Sequence, residues 1–449
     1  MLAIALCAIA FLSSMLFGFR SIVKGIIVVM AWGYAYGILR ANVLASGSHF
    51  IFDAALVGLY ISQWRTFFAP LPDPRSRATR TWVIILIAWP MLLAFLPFQT
   101  PLITLVGLRG NIFFLPVILL ALRLTEAQMV KLGFGLAYLN LGAFAMATAE
   151  YFLGVTRFFP YSAVTQIIYA SGDVAGYRYH RIPSTFSSAH AYAGTMVATI
   201  PVLFGSWFSK GLSRFQFLLT TAGLAAALLG ILMASTRQHF VVALTLIMTA
   251  TLSGKVKLAY RMIWVGLLAV AAILALTNER FQRFKSLADS ETVAGRVAGS
   301  VNRNFFEILV EYPMGNGLGG GGTSIPYFLQ SQLRRPVHME NEYSRILLEQ
   351  GIPGLGLWIA FLLWTATRSK AFVPGEWQLG RKLMWMYYCV AFATALIGVG
   401  MLTSIPSTFL MLLFTGWITV DTRQQLRPQG VQPAGFGRVP VNRSMAALR

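Results

Sequence analysis

Charged residues are scarce in this sequence: they make up 11% of its 449 residues, whereas 57% are hydrophobic. So little charge cannot cover the surface of a water-soluble globule of this size, which excludes that class of protein. Apolar blocks of about 20 residues, the length that crosses a bilayer, recur from Met1 to Val420. The sequence therefore predicts an all-α, polytopic membrane protein.

Cysteine is scarcer still. The two cysteines, Cys7 and Cys389, lie in separate apolar blocks, which excludes a disulfide framework and a thiol metal site. The five aspartates form no D-x-D pair, and the histidines match no zinc-ligand spacing. We therefore expect no catalytic metal and no other cofactor.

Acidic residues are the rarest charged type, with 15 Asp and Glu against 36 Lys and Arg and a formal net charge of +21. The basic side chains are concentrated in short loops, a distribution typical of the positive-inside rule for cytoplasmic loops. We therefore expect membrane lipid rather than nucleic acid as a partner. The basic loops comprise residues 75–80, 123–131, 210–214, 255–261 and 368–382.

The apolar blocks predict twelve transmembrane helices, or thirteen if the first block is an uncleaved helix rather than a re-entrant segment. The predicted spans are residues 1–19, 22–40, 50–69, 81–98, 111–129, 132–156, 189–208, 216–234, 238–253, 261–277, 346–367, 383–400 and 403–420.

Two long loops are predicted on the face opposite the basic loops. They are residues 157–188 and 278–345. Alternation of the spans places them, with the shorter connections 41–49, 99–110, 235–237 and 401–402, on this outward face, which in a bacterium is the periplasm. We assign residues 1–420 to one transmembrane domain that includes the two long loops. Residues 421–449 form a basic cytoplasmic tail whose Pro, Gly, Gln and Arg content predicts disorder.

The loop at 278–345 contains its own patterns. Residues 293–312 have helical apolar spacing and predict an amphipathic helix at the membrane interface, ended by Pro313 and the glycines that follow. Gly315–Gly320 fits G-x-G-x-x-G, but no strand precedes it and no helix follows in a βαβ unit. We expect a flexible hinge there, with a backbone cradle for phosphate as the alternative.

His338 is the strongest candidate for a catalytic residue. It lies just before the predicted span 346–367, with carboxylates two and four residues further on. Because its pKa is ordinarily near neutrality, a histidine in this place can act as a general base, oriented by Glu340, Asn341 or Glu342. A purely structural histidine is an equal alternative on these features alone.

Several arginines are predicted on the same outward face. Arg237 interrupts two apolar blocks, where a charge costs about 2.5–3.5 kcal/mol on insertion scales. Arg181, Arg296 and Arg303 lie in the two long loops. The planar fork of donors on arginine suits phosphate oxygens, so the set predicts a site for a lipid diphosphate. Taken singly, each loop arginine fits a surface or headgroup-binding role better than a catalytic one, and the alternative for Arg237 is an arginine that reaches the headgroups from a helix end.

Three segments carry a family resemblance. They are His338 with Asn341–Tyr343 and Leu348–Leu355, the stretch Phe305–Gly319, and Ser235–Arg237 between two helices. Together they resemble the O-antigen ligase and polymerase superfamily of bacterial membrane glycosyltransferases, over about residues 180–365. The family often has His-Asn or His-Ser-x-Tyr-Leu, whereas here Met339-Glu340 intervene, which leaves the partner of His338 open.

The resemblance implies an all-helical, GT-C-like glycosyltransferase in the bacterial inner membrane. Such enzymes pass a glycan from undecaprenyl diphosphate to an acceptor hydroxyl, here the lipid A core, without a metal and with inversion. It implies that His338 is the base, that Arg237 is the arginine of the membrane turn, and that Arg181 and Arg296, with Arg303 nearby, hold the diphosphate.

Other functions fit the same residues. A polymerase of O-antigen or exopolysaccharide and a protein O-oligosaccharyltransferase share this core and differ in the acceptor. A secondary transporter of a small anion, a different class, would use the same arginines, although no internal repeat is evident in the sequence.

Overall fold

The computed structural model of the protein describes residues 1–71, 73–170, 179–253, 258–278, 305–334, 341–369 and 375–420, with the single residues 284, 295, 299, 337, 339 and 371. Throughout this described part the regular structure is helical, without a β-strand, as predicted. The tail at 421–449 and the first part of the predicted interfacial helix lie outside it.

Seventeen α-helices are described. The first nine are α1 Leu2–Arg20, α2 Ile22–Asn42, α3 Ile51–Ser62, α4 Trp64–Phe68, α5 Pro74–Leu93, α6 Pro101–Ile112, α7 Pro116–Ala121, α8 Glu126–Leu153 and α9 Gln166–Ala170. The others are α10 Ala189–Trp207, α11 Arg214–Met233, α12 Arg237–Leu252, α13 Leu258–Thr277, α14 Phe305–Glu311, α15 Glu342–Arg368, α16 Gln378–Thr394 and α17 Ser407–Trp417. Short 3-10 turns lie at Ser46–Phe50, Val155–Arg157 and Tyr327–Gln332.

Six segments in the described part are long and apolar enough to cross a membrane: α1, α2, α6 with α7, α8, α11 and α15. α12, α17 and residues 261–274 within α13 are shorter apolar helices. Large apolar side chains such as Phe95 and Val310, 83% and 81% exposed, lie on the outer surface, which suits lipid better than water. These features are compatible with a membrane protein, while the count of twelve or thirteen spans stays a prediction.

One predicted span is wrong. The helix expected at 111–129 lies instead at Pro101–Ala121, so the outward loop predicted at 99–110 is largely helical. Pro101 stands at the first helical position, where its missing N–H costs nothing. The next helix begins at Glu126 because Thr125 and Gln128 form a capping box. Local end signals therefore outweigh the hydrophobic window.

Helix α10 is the centre of the fold. Every residue of Ala189–Trp207 except His190 is buried, since α8, α11, α12, α16 and α17 pack around it. A helix that is apolar on all sides lies in a protein core or in lipid, and here other helices surround it. Its first turn is capped by Ser188, whose side chain accepts the N–H of Ala191. The exposed His190 therefore lies in the first turn of a helix that is otherwise buried by its neighbours.

Helix α15 is broken at Gly351, which has φ 70° and ψ −176°. The turn that follows α14 fills the break: Asn316 N–H donates to the Leu348 carbonyl at 2.6 Å, and Ile352 N–H donates to the Pro313 carbonyl at 2.8 Å. Non-helical backbone at this depth is tolerated only when its polar groups are satisfied within the protein. As predicted, α14 ends before Pro313, and the chain then packs against α15.

Candidate functional site

Four of the predicted site residues, His338, Arg296, Arg303 and Glu340, lie outside the described residues, and their roles stay predictions. The chain neighbours of His338 are described. Val337 packs against the main hydrophobic core, and Met339 is buried within it. Arg181, Arg237, Asn341 and Glu342 can be located directly.

Arg181 lies in the extended segment before α10 and is only 6% exposed. Its Nη1 is 2.9 Å from Nε2 of His190. Because a guanidinium can only donate, His190 Nε2 is the acceptor in this contact. The Nε of Arg181 is buried and has no hydrogen-bond partner in the described part of the chain. One directional donor of this buried cation is therefore unused.

The first turn of α12 lies beside this pair. The chain turns at Ser235, with φ 51°, and α12 starts at Arg237 after Thr236, as the sequence predicted for this position. The rings of His190 and His239 are 6.1 Å apart between centroids. The structure thus brings Arg181 and the turn that carries Arg237 to one corner, which we call the α10–α12 corner.

The α10–α12 corner has several polar atoms that lack partners. Thr236 Oγ1 and His239 Nδ1 are buried without a hydrogen bond among the described residues, and Thr236 does not cap the helix with its side chain. The N-terminus of a helix such as α12 carries partial positive charge, which favours an anion. An unsatisfied buried polar group costs about 1–3 kcal/mol, which an anion with several oxygens would recover at this corner.

The predicted orienting residues Asn341 and Glu342 begin α15. Asn341 caps the helix by accepting the N–H of Ser344 at 2.7 Å. Glu342 is fully buried, and its Oε2 accepts the N–H of Gly400 at 2.7 Å while its Oε1 accepts from Arg345 at 2.7 Å. These contacts give both residues a part in holding the start of α15. Their action on His338 stays a prediction.

A buried ionic cluster, missed at the sequence level, follows directly. Arg345 is 0% exposed and pairs with Glu342 and, at 2.9 Å, with Glu349. Asn111 on α6 completes it: its Nδ2 donates to Glu349 at 2.7 Å, and its Oδ1 accepts from Gln350 at 2.9 Å. We call these five residues the Arg345 cluster. The E-x-x-R-x-x-x-E spacing, which puts three charges on one helix face, is a signal that could have found its α15 half.

Gln99 is a second missed residue, and it holds the loop that leads to His338. Its Nε2 donates to the carbonyls of Asn316 at 2.9 Å and Arg334 at 3.2 Å, and its Oε1 accepts the N–H of Arg334 at 3.1 Å. The side chain is 3% exposed. Gln99 therefore fixes two points of the loop against the segment between α5 and α6.

The glycine-rich run at 315–320, where the sequence predicted a flexible hinge, is buried throughout. A Cβ on Gly107 of α6 would lie 2.2 Å from the backbone nitrogen of Gly319. Gly315, Gly317 and Gly319 also have positive φ angles. Close backbone packing against α6 and α15 accounts for these glycines.

Two further arginines lie in the last turn of α2, at Arg40, and on α6, at Arg109. Arg109 forms a bidentate ion pair with Asp53, at 2.7 Å for each nitrogen–oxygen contact. Burial, together with the positive charges of Arg40 and Arg109, lowers the pKa of His49 to about 4. His49 is thus neutral at ordinary pH, and its ring packs against Tyr327 at 5.8 Å.

The described residues contain no group of three or more His, Cys, Asp or Glu side chains placed to hold a metal ion. No protein-family model and no curated protein matches this chain. The geometry of the α10–α12 corner and the motifs of the sequence therefore carry the functional proposal.

Proposed function

We propose that the protein is an O-antigen ligase-like glycosyltransferase of the bacterial inner membrane. It would transfer a glycan from undecaprenyl diphosphate to a hydroxyl of the lipid A core at the periplasmic face, with the C-terminus in the cytoplasm. The observation that carries this proposal is buried Arg181, which offers an unused Nε beside the first turn of α12. The three segments that resemble the superfamily support the same function.

The chemistry follows from the residue types. His338 takes the proton of the acceptor hydroxyl, whose oxygen attacks the anomeric carbon of the donor glycan. The bond from that carbon to the diphosphate oxygen breaks, and undecaprenyl diphosphate leaves with its electron pair. Arg181 and Arg237, with Arg296 and Arg303, stabilise the negative charge that develops on the leaving group. A single displacement of this kind inverts the anomeric centre and uses no metal.

The small-anion transporter is the alternative from another class. Transporters bind ions with the free backbone groups of broken helices, and α15 is broken at Gly351. Here, however, the Leu348 carbonyl and the Ile352 N–H are both occupied by the turn at Pro313–Asn316. This argues for the transferase. A polymerase would use the same corner and differ only in its acceptor.

A transfer assay tests the proposal. Purified protein in lipid nanodiscs is given an undecaprenyl-diphosphate glycan and a lipid A core acceptor, and glycosylated acceptor is measured. We expect His338→Ala to abolish transfer while undecaprenyl diphosphate still binds. His180→Ala, which removes an exposed histidine of the other outward loop, is the control and should transfer normally. Transfer by His338→Ala at the wild-type rate would remove His338 as the base.

A second experiment separates the acceptors. Deleting the gene should remove long-chain glycan from lipid A if the protein is a ligase, and should remove the polymer itself if it is a polymerase. Uptake of a small anion into sealed vesicles that lack any polyprenyl glycan would instead support the transporter.

A further inference from the structure

Glu150 is a buried carboxyl on the apolar helix α8, close to its C-terminal end, and the proposed mechanism does not use it. Its side chain is 0% exposed. Ionisable residues at such positions are costly in a membrane protein and are therefore expected to have a function. The Oε2 of Glu150 accepts the backbone N–H of Ser184 at 2.9 Å. This hydrogen bond joins α8 to the segment that carries Arg181, three residues before Ser184.

Ser184 has an unusual backbone that needs this support. Its φ of 54° lies in the left-handed region, which residues with a side chain seldom adopt. Its hydroxyl donates at 2.6 Å to the carbonyl of Ala143, which lies about two turns before Glu150 on α8. A strained conformation persists only where its surroundings determine it fully. α8 therefore holds Ser184 through both its backbone and its side chain.

The other half of the segment is held by different elements. The N–H of Ile38 on α2 donates to the carbonyl of Thr185 at 2.9 Å. The ring of Phe186 lies 5.0 Å from that of Tyr34 and 5.3 Å from that of Tyr192, between centroids. These contacts fix residues after Ser184. On the Arg181 side, the hydrogen bond from the Ser184 N–H to Glu150 anchors the backbone.

We propose that Glu150 is a positioning residue for Arg181. By fixing the backbone at Ser184, it sets the position of the buried guanidinium, so that Nη1 meets His190 and the unpartnered Nε is available to an anion at the α10–α12 corner. The identity of the anion, a lipid diphosphate, rests on the proposed function. Glu150 itself does not contact the anion and acts through Arg181 alone.

The variants separate the acceptor oxygen from the rest of the side chain. Glu150→Gln keeps an oxygen that accepts the Ser184 N–H, whereas Glu150→Leu removes it at similar volume. Asp73 supplies a matched control, because this buried carboxylate accepts the N–H groups of Arg75 and Ser76, both at 2.9 Å, at the start of α5. Asp73→Leu thus loses similar hydrogen bonds far from the α10–α12 corner.

The measurement is equilibrium binding of undecaprenyl diphosphate to the full-length protein in nanodiscs, with inorganic diphosphate as a second probe. We expect Glu150→Leu to weaken binding about tenfold, the fold-change that corresponds to the loss of one neutral hydrogen bond. Glu150→Gln and Asp73→Leu should bind as the wild type does. In a protein that already carries Arg181→Gln, Glu150→Leu should cause no further loss, because its effect passes through Arg181.

The outcomes are distinct. Equal binding by Glu150→Leu and wild type, or additive losses in the double variant, would overturn the positioning role while leaving the proposed function intact. If the wild type binds neither undecaprenyl diphosphate nor inorganic diphosphate, both the proposed function and the positioning role of Glu150 are wrong. If Glu150→Leu does not fold, Glu150→Asp, which withdraws the carboxyl by one methylene, takes its place. It should weaken binding of the probe, and wild-type affinity in this variant would likewise overturn the positioning role.

Discussion

Replacing Arg345 with methionine should destabilise the protein by about 3–5 kcal/mol, the cost of removing one partner from a buried ion pair. Arg345 is 0% exposed, and it pairs with two carboxylates, Glu342 at 2.7 Å and Glu349 at 2.9 Å. Methionine fills the space of the aliphatic stem but not that of the guanidinium group, so a cavity adds to the cost. The variant leaves the two buried carboxylates without their shared cation, and this is the dominant cost.

A surface ion pair gives the reference for this free-energy cost. Lys210 and Glu376 are also in contact, at 3.1 Å, but their side chains are 83% and 56% exposed. An exposed pair of this kind contributes only about 0–1 kcal/mol, so Lys210→Met is the matched control. Adding Glu349→Gln to Arg345→Met removes one uncompensated charge and should restore part of the lost stability.

The assay is thermal unfolding in detergent at one fixed scan rate, because unfolding of such proteins is often irreversible. A midpoint drop of about 3–10 °C follows for Arg345→Met, if a chain of this length shifts by about 1–2 °C per kcal/mol. Lys210→Met should have the same unfolding midpoint as the wild type. Equal midpoints for Arg345→Met and Lys210→Met would refute the assignment of the Arg345 cluster as a main support of α15.

Two other predictions concern Gly351 and His49. Gly351→Ala should cost about 1–3 kcal/mol of stability and lower expression, since its Cβ would lie 2.6 Å from the Met314 carbonyl carbon at a φ of 70°. Gly356→Ala on the same helix meets nothing within 4 Å, so equal effects of the two would contradict the packing described for Gly351. The pKa of His49 is about 4 in the folded protein and 6.5 in the unfolded chain. Between these two pH values the unfolded chain therefore binds a proton at His49 and the folded protein does not. Stability should therefore be constant above pH 6.5 and fall as the pH drops from 6.5 to about 4, and an unfolding curve for His49→Gln that parallels the wild type there would disprove this.

Sequence patterns predicted the parts of the fold that depend on local signals. The turn at Ser235–Arg237 lies where two apolar blocks are interrupted, and α14 ends before Pro313, as expected. The span at Pro101–Ala121 was misplaced because a hydrophobic window does not detect a helix start set by proline. Signals of this kind outweigh average hydrophobicity when two spans are separated by only a few residues.

The buried polar contacts that support the site were predicted less completely, because the residues that form them are distant in sequence. Asn111 meets Gln350 and Glu349 across more than 230 positions, and Gln99 meets Arg334 across 235. Single polar residues of this kind in apolar surroundings show no periodicity that points to a partner. Glu150 is the same case, since only tertiary packing brings it to Ser184. Arginines such as Arg237 could be identified from the sequence as candidate diphosphate ligands, because a charge next to apolar blocks is unusual.

The most direct test of the central proposal is the dependence of glycan transfer on Arg181. Product formation and release of undecaprenyl diphosphate are followed together with the wild type, Arg181→Gln and Arg214→Gln, the last a control at the start of α11. We expect the wild type to release one undecaprenyl diphosphate per glycan transferred. Arg181→Gln should lower kcat/KM by about 100-fold or more, the scale for losing a fixed donor to developing charge, and Arg214→Gln should not change it. Absence of transfer by the wild type, or equal rates in the two variants, would contradict the proposal.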